Sequence, residues 1–526
     1  MVGATGITVP GAGLLHISAC MFDVPFTPAD RERGSPMTRR LSLVLLSTLL
    51  AAGLVAGISC ARNPVTGKNQ LSLVSESQEI QLGKESAVQV QQSIGFYDDP
   101  GVQAYVSEIG LRMAKASERP NLPWEFHVVN DASVNAFALP GGFIYVTRGL
   151  MTSINDEAEL ATVVGHEIGH VTNRHSVQQI SKQQVAQLGL GVGSILSSDV
   201  ARMAGLASQG LGVLFLKYSR DAENEADLAG FRYALNQNYD VREMVNVFQT
   251  LDRVSGAAGG GKLPEWLETH PDPGTRIQNT QQRLDTLHKD LTKTVINRDQ
   301  YLAHVRNMTY GEDPRQGFFE KGMFYHPDLR FQLAFPSDWK TQNTADAVMA
   351  GSPQQDAIIQ LSLAGKTPPQ QAAQQFLSQQ GITAGNRSTA SVNGLPAASG
   401  YFQAQTDQGS VQGLVTFLSY NGNTYSLLGY TPAGKLNTYD NVFRQTINSF
   451  SQLRDQAALN VKPAKVELVR LTKEMTLEQF NSQYPSSIPI AELAIINEVE
   501  SPTTALPAGR TVKRVVGGRG VASSSP

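Results

Sequence analysis

Residues 166–170 read His166-Glu167-Ile168-Gly169-His170, and they constrain what this chain can fold into more than any other stretch. On a helix, positions four apart lie one above the other on a single face. Two imidazoles placed so can share one metal ion, and Glu167 beside them can reach a water held there. A helix is expected over 155–176. Asn155 can cap it, Asp156 and Glu157 suit its positive first turn, and Leu160, Val163, Val164 and Ile168 supply an apolar stripe. Such a stripe belongs to a buried helix, where polar groups need partners, so two idle surface histidines are the weaker reading.

A metal hydrolase needs a third protein ligand and an open fourth position. Downstream lies Ser219-Arg220-Asp221-Ala222-Glu223-Asn224-Glu225-Ala226-Asp227, leading into a helix expected over 222–235. Glu223 and Asp227 are four apart and share a face. Glu223 would bind the metal, and Asp227 would accept the free ring N–H of a ligand histidine. Alone, an acidic helix is more often a solvated face; its pairing with 166–170 reverses that preference. His175 follows His170 by five residues with no glycine between. The longer zinc motif that draws its third ligand from the same segment needs that glycine and a histidine six residues on, so His175 reads as structural.

Taken together, these two segments resemble the paired signature of the zinc peptidases that include the heat-shock HtpX proteases, the periplasmic BepA-type proteases and the CAAX prenyl endopeptidases. Two further stretches agree. Asn135-Ala136-Phe137-Ala138-Leu139-Pro140-Gly141-Gly142 looks like the family's strand bordering the cleft, and His270-Pro271 with Arg276 looks like its late element. The resemblance spans about residues 65–290. It implies one Zn2+ per chain on His166, His170 and Glu223, not Glu225, with Asp227 supporting a ligand ring. It also implies that His270 and Arg276 face the active site, where His270 would cap the metal at rest or steady the transition state. Glu167 would be the general base, His270 or Arg276 would stabilise the oxyanion, and Asn135, Ala136, Phe137 and Ala138 would pair with an extended substrate as an added strand.

The 526 residues exceed what one core organises, so several domains are expected. The fold class is α+β. A mainly helical metallopeptidase domain with a small edge sheet covers 65–315. An α+β domain resembling PsbP modules covers 320–455. A LysM-like module covers 460–516, and residues 517–526 are small and polar. No 34-residue helical repeat of the tetratricopeptide kind follows residue 290. Asn421-Gly422 between two alternating runs signals a hairpin. The Gly- and Ala-rich run 188–215 is interrupted by Asp199 and Arg202 and is expected to form two amphipathic helices rather than a membrane span.

The formal charge of −3 argues against a nucleic-acid partner driven by bulk electrostatics. The two cysteines, Cys20 and Cys60, precede everything that looks folded, so neither a disulfide scaffold nor a thiol nucleophile is expected in the body. Met37 opens an export signal or anchor over 37–60: Arg39 and Arg40, an apolar run from Leu41 to Ile58, then Ser59-Cys60. Cys60 is the expected lipidation site, and residues 1–36 read as an extension ahead of the true start. The chain is therefore expected in the bacterial periplasm or envelope, acting on unfolded or misassembled envelope proteins. A membrane contact through Cys60 and a cell-wall glycan contact through the LysM-like module accompany that reading. A chaperone or scaffold lipoprotein with gated proteolysis, and a zinc amidase acting on peptidoglycan, are the competing classes.

Overall fold

The structure is a computed structural model describing residues 60–189, 217–257, 266, 269–344, 347–406 and 409–518. The expected leader and N-terminal extension before Cys60, most of the amphipathic pair at 188–215, the glycine-rich residues 258–261 and the tail after 518 lie outside them, while Ser255–Ala257, which the sequence suggests as the start of a glycine-rich loop, end a helix instead. No helix among the described residues is long and apolar enough to cross a membrane.

Cys60–Arg62 (β1) and Asn69–Leu71 (β2) form a short antiparallel pair. The helical stretch from Glu76 divides into α1 (Glu76–Ser93) and α2 (Pro100–Lys115). Gly95 takes a left-handed conformation at the break, and Asp99 caps α2 ahead of a proline at its first position. Strands β3 (Glu125–Val129), β4 (Ala136–Leu139) and β5 (Phe143–Thr147) follow, with β5 in the centre, parallel to β3 and antiparallel to β4.

A short helix α3 (Arg148–Ser153) leads into the metal-motif helix α4 (Glu157–Thr172). The cap is Asp156, one residue later than expected. Its side chain accepts from the Glu159 N–H, while the Glu159 carboxylate accepts from the Asp156 N–H, a reciprocal box that Asn155 cannot form. Asn155 instead offers its side-chain oxygen to Arg298 at 3.2 Å. The helix stops at Thr172, short of 176, because Arg174 turns left-handed; α5 (His175–Gly189) then restarts. Helices α6 (Arg220–Asn236), α7 (Glu243–Ala257), α8 (Pro273–Asp285) and α9 (Arg298–Val305) complete this unit. Val106, Phe126, Leu160, Val164 and Phe248 belong to its continuous core.

The middle unit has a four-stranded sheet in the order β17 (Ser451–Gln452), β9 (Phe331–Ala334), β8 (Met323–His326), β7 (Phe318–Glu320). Beside it runs a seven-stranded antiparallel sheet ordered β10-β11-β12-β16-β15-β14-β13, from Lys340–Asn343 (β10), Ala347–Gly351 (β11), Ile358–Leu363 (β12), Ile382–Ser388 (β13), Ala397–Thr406 (β14), Gly409–Tyr420 (β15) and Asn423–Pro432 (β16). Helices α10 (Pro369–Leu377) and α11 (Leu436–Ser449) pack on it. Asn421 and Gly422 both adopt positive φ, 48° and 76°, in the two-residue turn between β15 and β16.

The last unit has α12 (Leu477–Gln483), α13 (Ile490–Ile496) and the long pair β18 (Ala464–Arg470) and β19 (Thr511–Gly517). Its sheet takes a third strand, Thr309–Tyr310 (β6), from residues that the sequence assigns to the first unit.

Candidate metal centre

Helices α4 and α6 can meet because their facing residues are small. A Cβ on Gly165 would lie 3.1 Å from the Gly230 backbone, one on Gly169 would lie 2.9 Å from the Ala226 carbonyl oxygen, and one on Gly230 would lie 2.7 Å from the His166 nitrogen. With almost no side chains between the backbones, Glu223 and Asp227 from α6 reach the rings of His166 and His170.

The three candidate ligands converge out of solvent. His166 Nε2 and His170 Nε2 are 2.9 Å apart, and the Glu223 carboxylate lies 3.6 Å from the first and 3.5 Å from the second. His270 joins them: its Nδ1 is 3.4 Å from His166 Nε2 and 3.1 Å from each Glu223 oxygen. The four donor sets lie within 4.8 Å of one another. Tetrahedral zinc, with bonds of about 2.0–2.1 Å, separates its ligand atoms by roughly 3.3 Å, which these spacings match. Two imidazole lone pairs facing at 2.9 Å also repel unless a cation or proton lies between them.

The surroundings fix each group's charge. Burial, reinforced by His166 and His175, pushes the His170 pKa well below the ordinary value and keeps its ring neutral. Burial alone would raise Glu223, but His270 and Arg276 outweigh it and hold the carboxylate ionised. Asp227 behaves likewise, its burial overcome by Arg276 and His166. An ionised Asp227 must accept the proton of His166 Nδ1 at 2.8 Å, which leaves the Nε2 lone pair free for the centre. Arg276 Nη2 also approaches His166 Nδ1 at 3.1 Å, but it already donates to Asp227 alongside Nε, so the carboxylate takes the ring proton.

Arg276 sits behind the cluster, its guanidinium 4.3 Å from the Phe248 ring centre and 4.6 Å from that of Trp266. Glu167 is buried beside it. Burial raises its pKa, partly offset by His270 and His166, and its Oε1 has no hydrogen-bond partner among the described residues. His270 Nε2 stands 3.8 Å from that oxygen.

Sequence reasoning set His175 aside as structural and gave Glu225 no role. In the structure His175 Nδ1 is 2.9 Å from His170 Nδ1, and its Nε2 lies 3.3 Å from Glu225. The second ligand ring thus has its own histidine–carboxylate support. Tyr218 stacks on His170 with centres 4.1 Å apart, and Trp266 stacks on His270. The spacing of Glu225, two residues from Glu223 and so on another helix face, offered no signal for this pairing. Among the described residues, strand β4 pairs only with β5. Ala136 and Ala138 face the core shared with α4, Phe137 stacks on Tyr145 at 5.0 Å, and the Asn135 side-chain oxygen is buried without a hydrogen-bond partner among the described residues. Cys60 begins β1.

Residues 100–284 match the sequence model for Peptidase family M48. The chain is 28% identical over 287 residues to the Beta-barrel assembly-enhancing protease of Escherichia coli (strain K12), covering 52% of this chain and 58% of that one. The protein of the same name from Yersinia pestis is 31% identical over 283 residues, covering 52% and 57%. Mitochondrial metalloendopeptidase OMA1 of Arabidopsis thaliana is 35% identical over 177 residues, covering 33% and 34%. The chain thus spans under three fifths of the length of these relatives. Among solved structures, the cyanobacterial PsbP of Synechocystis sp. PCC 6803 overlaps 26% of this chain and 95% of that one at 13% identity, with a TM-score of 0.21, too low to bear on the middle unit's fold.

Proposed function

We propose that this chain, which carries a Peptidase family M48 domain, is a zinc-dependent metalloendopeptidase that cleaves misfolded or misassembled proteins of the bacterial envelope. The observation that carries the proposal is the convergence of His166, His170 and Glu223 with Glu167 buried beside them. Zinc, when bound, supplies Lewis-acid activation of water and of the scissile carbonyl.

The chain's own residues do the rest. His166 and His170 would hold the ion through their ring nitrogens, and Glu223 would hold it through its carboxylate. Asp227, held ionised by Arg276, keeps His166 in the ligating tautomer; Glu225 acts on His170 through His175. Glu167, buried beside the cluster, takes the proton of the attacking water and delivers it to the leaving amine. Asn135 to Ala138 receive an extended substrate along the open side of β4. His270 would cover the remaining side of the cluster at rest and, once displaced, would donate to the oxyanion; Arg276 steadies the cluster from behind.

The position of His270 also favours a second reading, a chaperone or scaffold whose proteolysis is gated, because a substrate must displace that ring before reaching the centre. A lipid anchor on Cys60 would hold either version at a membrane, and a LysM-like last unit would add glycan contact. Metal analysis of the purified chain, with casein digestion with and without chelator, tests the enzyme. One zinc per chain and chelator-sensitive cleavage are expected; cleavage that survives metal removal would sink the proposal.

A further inference from the structure

Lys513 lies on β19 in the last unit, and its side chain is 0% exposed. Burial lowers its amine to about 7, partly offset by the longer-range pull of Glu498, Glu159 and Asp156, none of which pairs with it directly among the described residues. It donates instead to three carbonyls of the first unit, Thr152 at 2.9 Å, Ser153 at 3.4 Å and Ile154 at 2.8 Å. A buried lysine nitrogen is tolerated when its N–H groups find acceptors. Here the acceptors are the end of α3, where unsatisfied carbonyls carry partial negative charge.

The same carbonyls lead directly into the cap of α4. Asn497 fixes the Lys513 backbone, accepting its N–H at 2.8 Å and donating to its carbonyl at 2.9 Å. Arg298 joins Asn155 to Glu498 of the last unit, and Arg253 donates to the Val499 carbonyl at 2.6 Å. The Ile296 carbonyl receives the first amides of α4, those of Glu157 and Ala158. The ties made by Lys513, Arg298 and Ile296 meet within a few residues of Asp156, the cap of the helix that carries His166, Glu167 and His170, while Arg253 fastens α7 to the same last unit.

We propose that the last unit is an internal clamp on the metal-bearing helix, and that Lys513 is a positioning residue for His166, Glu167 and His170. Held at its N-terminal end, α4 keeps one axial position against α6. Released, residues 152–156 fray, and the imidazoles and Glu167 lose their register with Glu223. The catalytic part of this inference rests on the zinc-peptidase reading; the clamp itself does not.

The test uses the full zinc-loaded chain carrying Lys513→Met, which keeps the length of the side chain and removes its donors, beside Lys513→Arg, which restores donors. Hydrogen exchange of amides 155–160, zinc content, and kcat and KM on casein are measured. Lys513→Met is expected to bind zinc and to exchange these amides roughly tenfold faster, as for loss of a local closing interaction. Its kcat should fall about three- to tenfold with KM within about twofold, and Lys513→Arg should recover most of it. Wild-type exchange in Lys513→Met, or a lost kcat with protected 155–160, overturns the clamp. If Lys513→Met does not fold, Arg298→Ala, which cuts the tie between Asn155 and Glu498, is read by the same two criteria. An inactive wild type would sink the peptidase reading, while the exchange comparison would still decide the clamp.

Discussion

The Nδ1–H of His166 points at the Asp227 carboxylate across 2.8 Å, joining residues 61 positions apart in the chain. That bond selects which ring nitrogen faces the metal centre. Asp227→Asn should therefore weaken zinc binding by about 10–100-fold, the usual effect of losing a carboxylate behind a ligating imidazole. Competition with a fluorescent chelator measures this; unchanged affinity would show that Asp227 serves only to pair Arg276.

Glu167 lies beside the three candidate ligands without belonging to them. Glu167→Gln preserves its volume and removes the base. The variant should keep full zinc occupancy and lose about 10^2–10^4-fold in kcat. Retained turnover at full metal content would remove Glu167 from the proposed mechanism.

Glu223 and Glu225 provide an internal control on one helix. Glu223→Ala should lose its zinc, while Glu225→Ala, which only frees His175, should keep one ion per chain with reduced affinity. Metal analysis after dialysis separates the two, and the opposite pattern would reassign the third ligand.

Gly230 sits where α6 touches α4, and a Cβ there would be 2.7 Å from the His166 nitrogen. Gly230→Ala must push the helices apart. It should cost about 1–3 kcal/mol, typical of overpacking, and should lower zinc affinity with the stability. Thermal unfolding with and without added zinc checks both effects; a variant as stable as the wild type would mean that α4 and α6 have room for a methyl group at Gly230.

The middle unit offers a pH test free of the metal. Burial pushes His326 down to about 4 from an ordinary 6.5, and its Nδ1 accepts the Leu329 N–H. Folding thus favours the neutral ring, and between those values only the unfolded chain binds the proton. The stability linked to His326 is present above about 6.5 and is lost as pH falls toward 4, by at most about 3 kcal/mol. Denaturant unfolding of the wild type and His326→Gln across that range should show a steeper loss for the wild type; parallel curves would contradict it.

The local features of the site could be read from the sequence because they are set over four residues. A pair of histidines, and a pair of carboxylates, each repeat at the helical period, and the Asn421-Gly422 turn needs only its own two dihedrals. These patterns determined that a metal-motif helix, an acidic partner helix and a hairpin exist, and which residues each presents. Their meeting is not a local property. Only the tertiary structure decided that Gly165, Gly169 and Gly230 let the backbones touch, that His270 enters the cluster, that Glu225 reaches His170 through His175, and that Lys513 caps α3 from some 360 residues away. Each depends on close packing between distant segments, and a periodicity along one helix holds no record of which surface lies opposite.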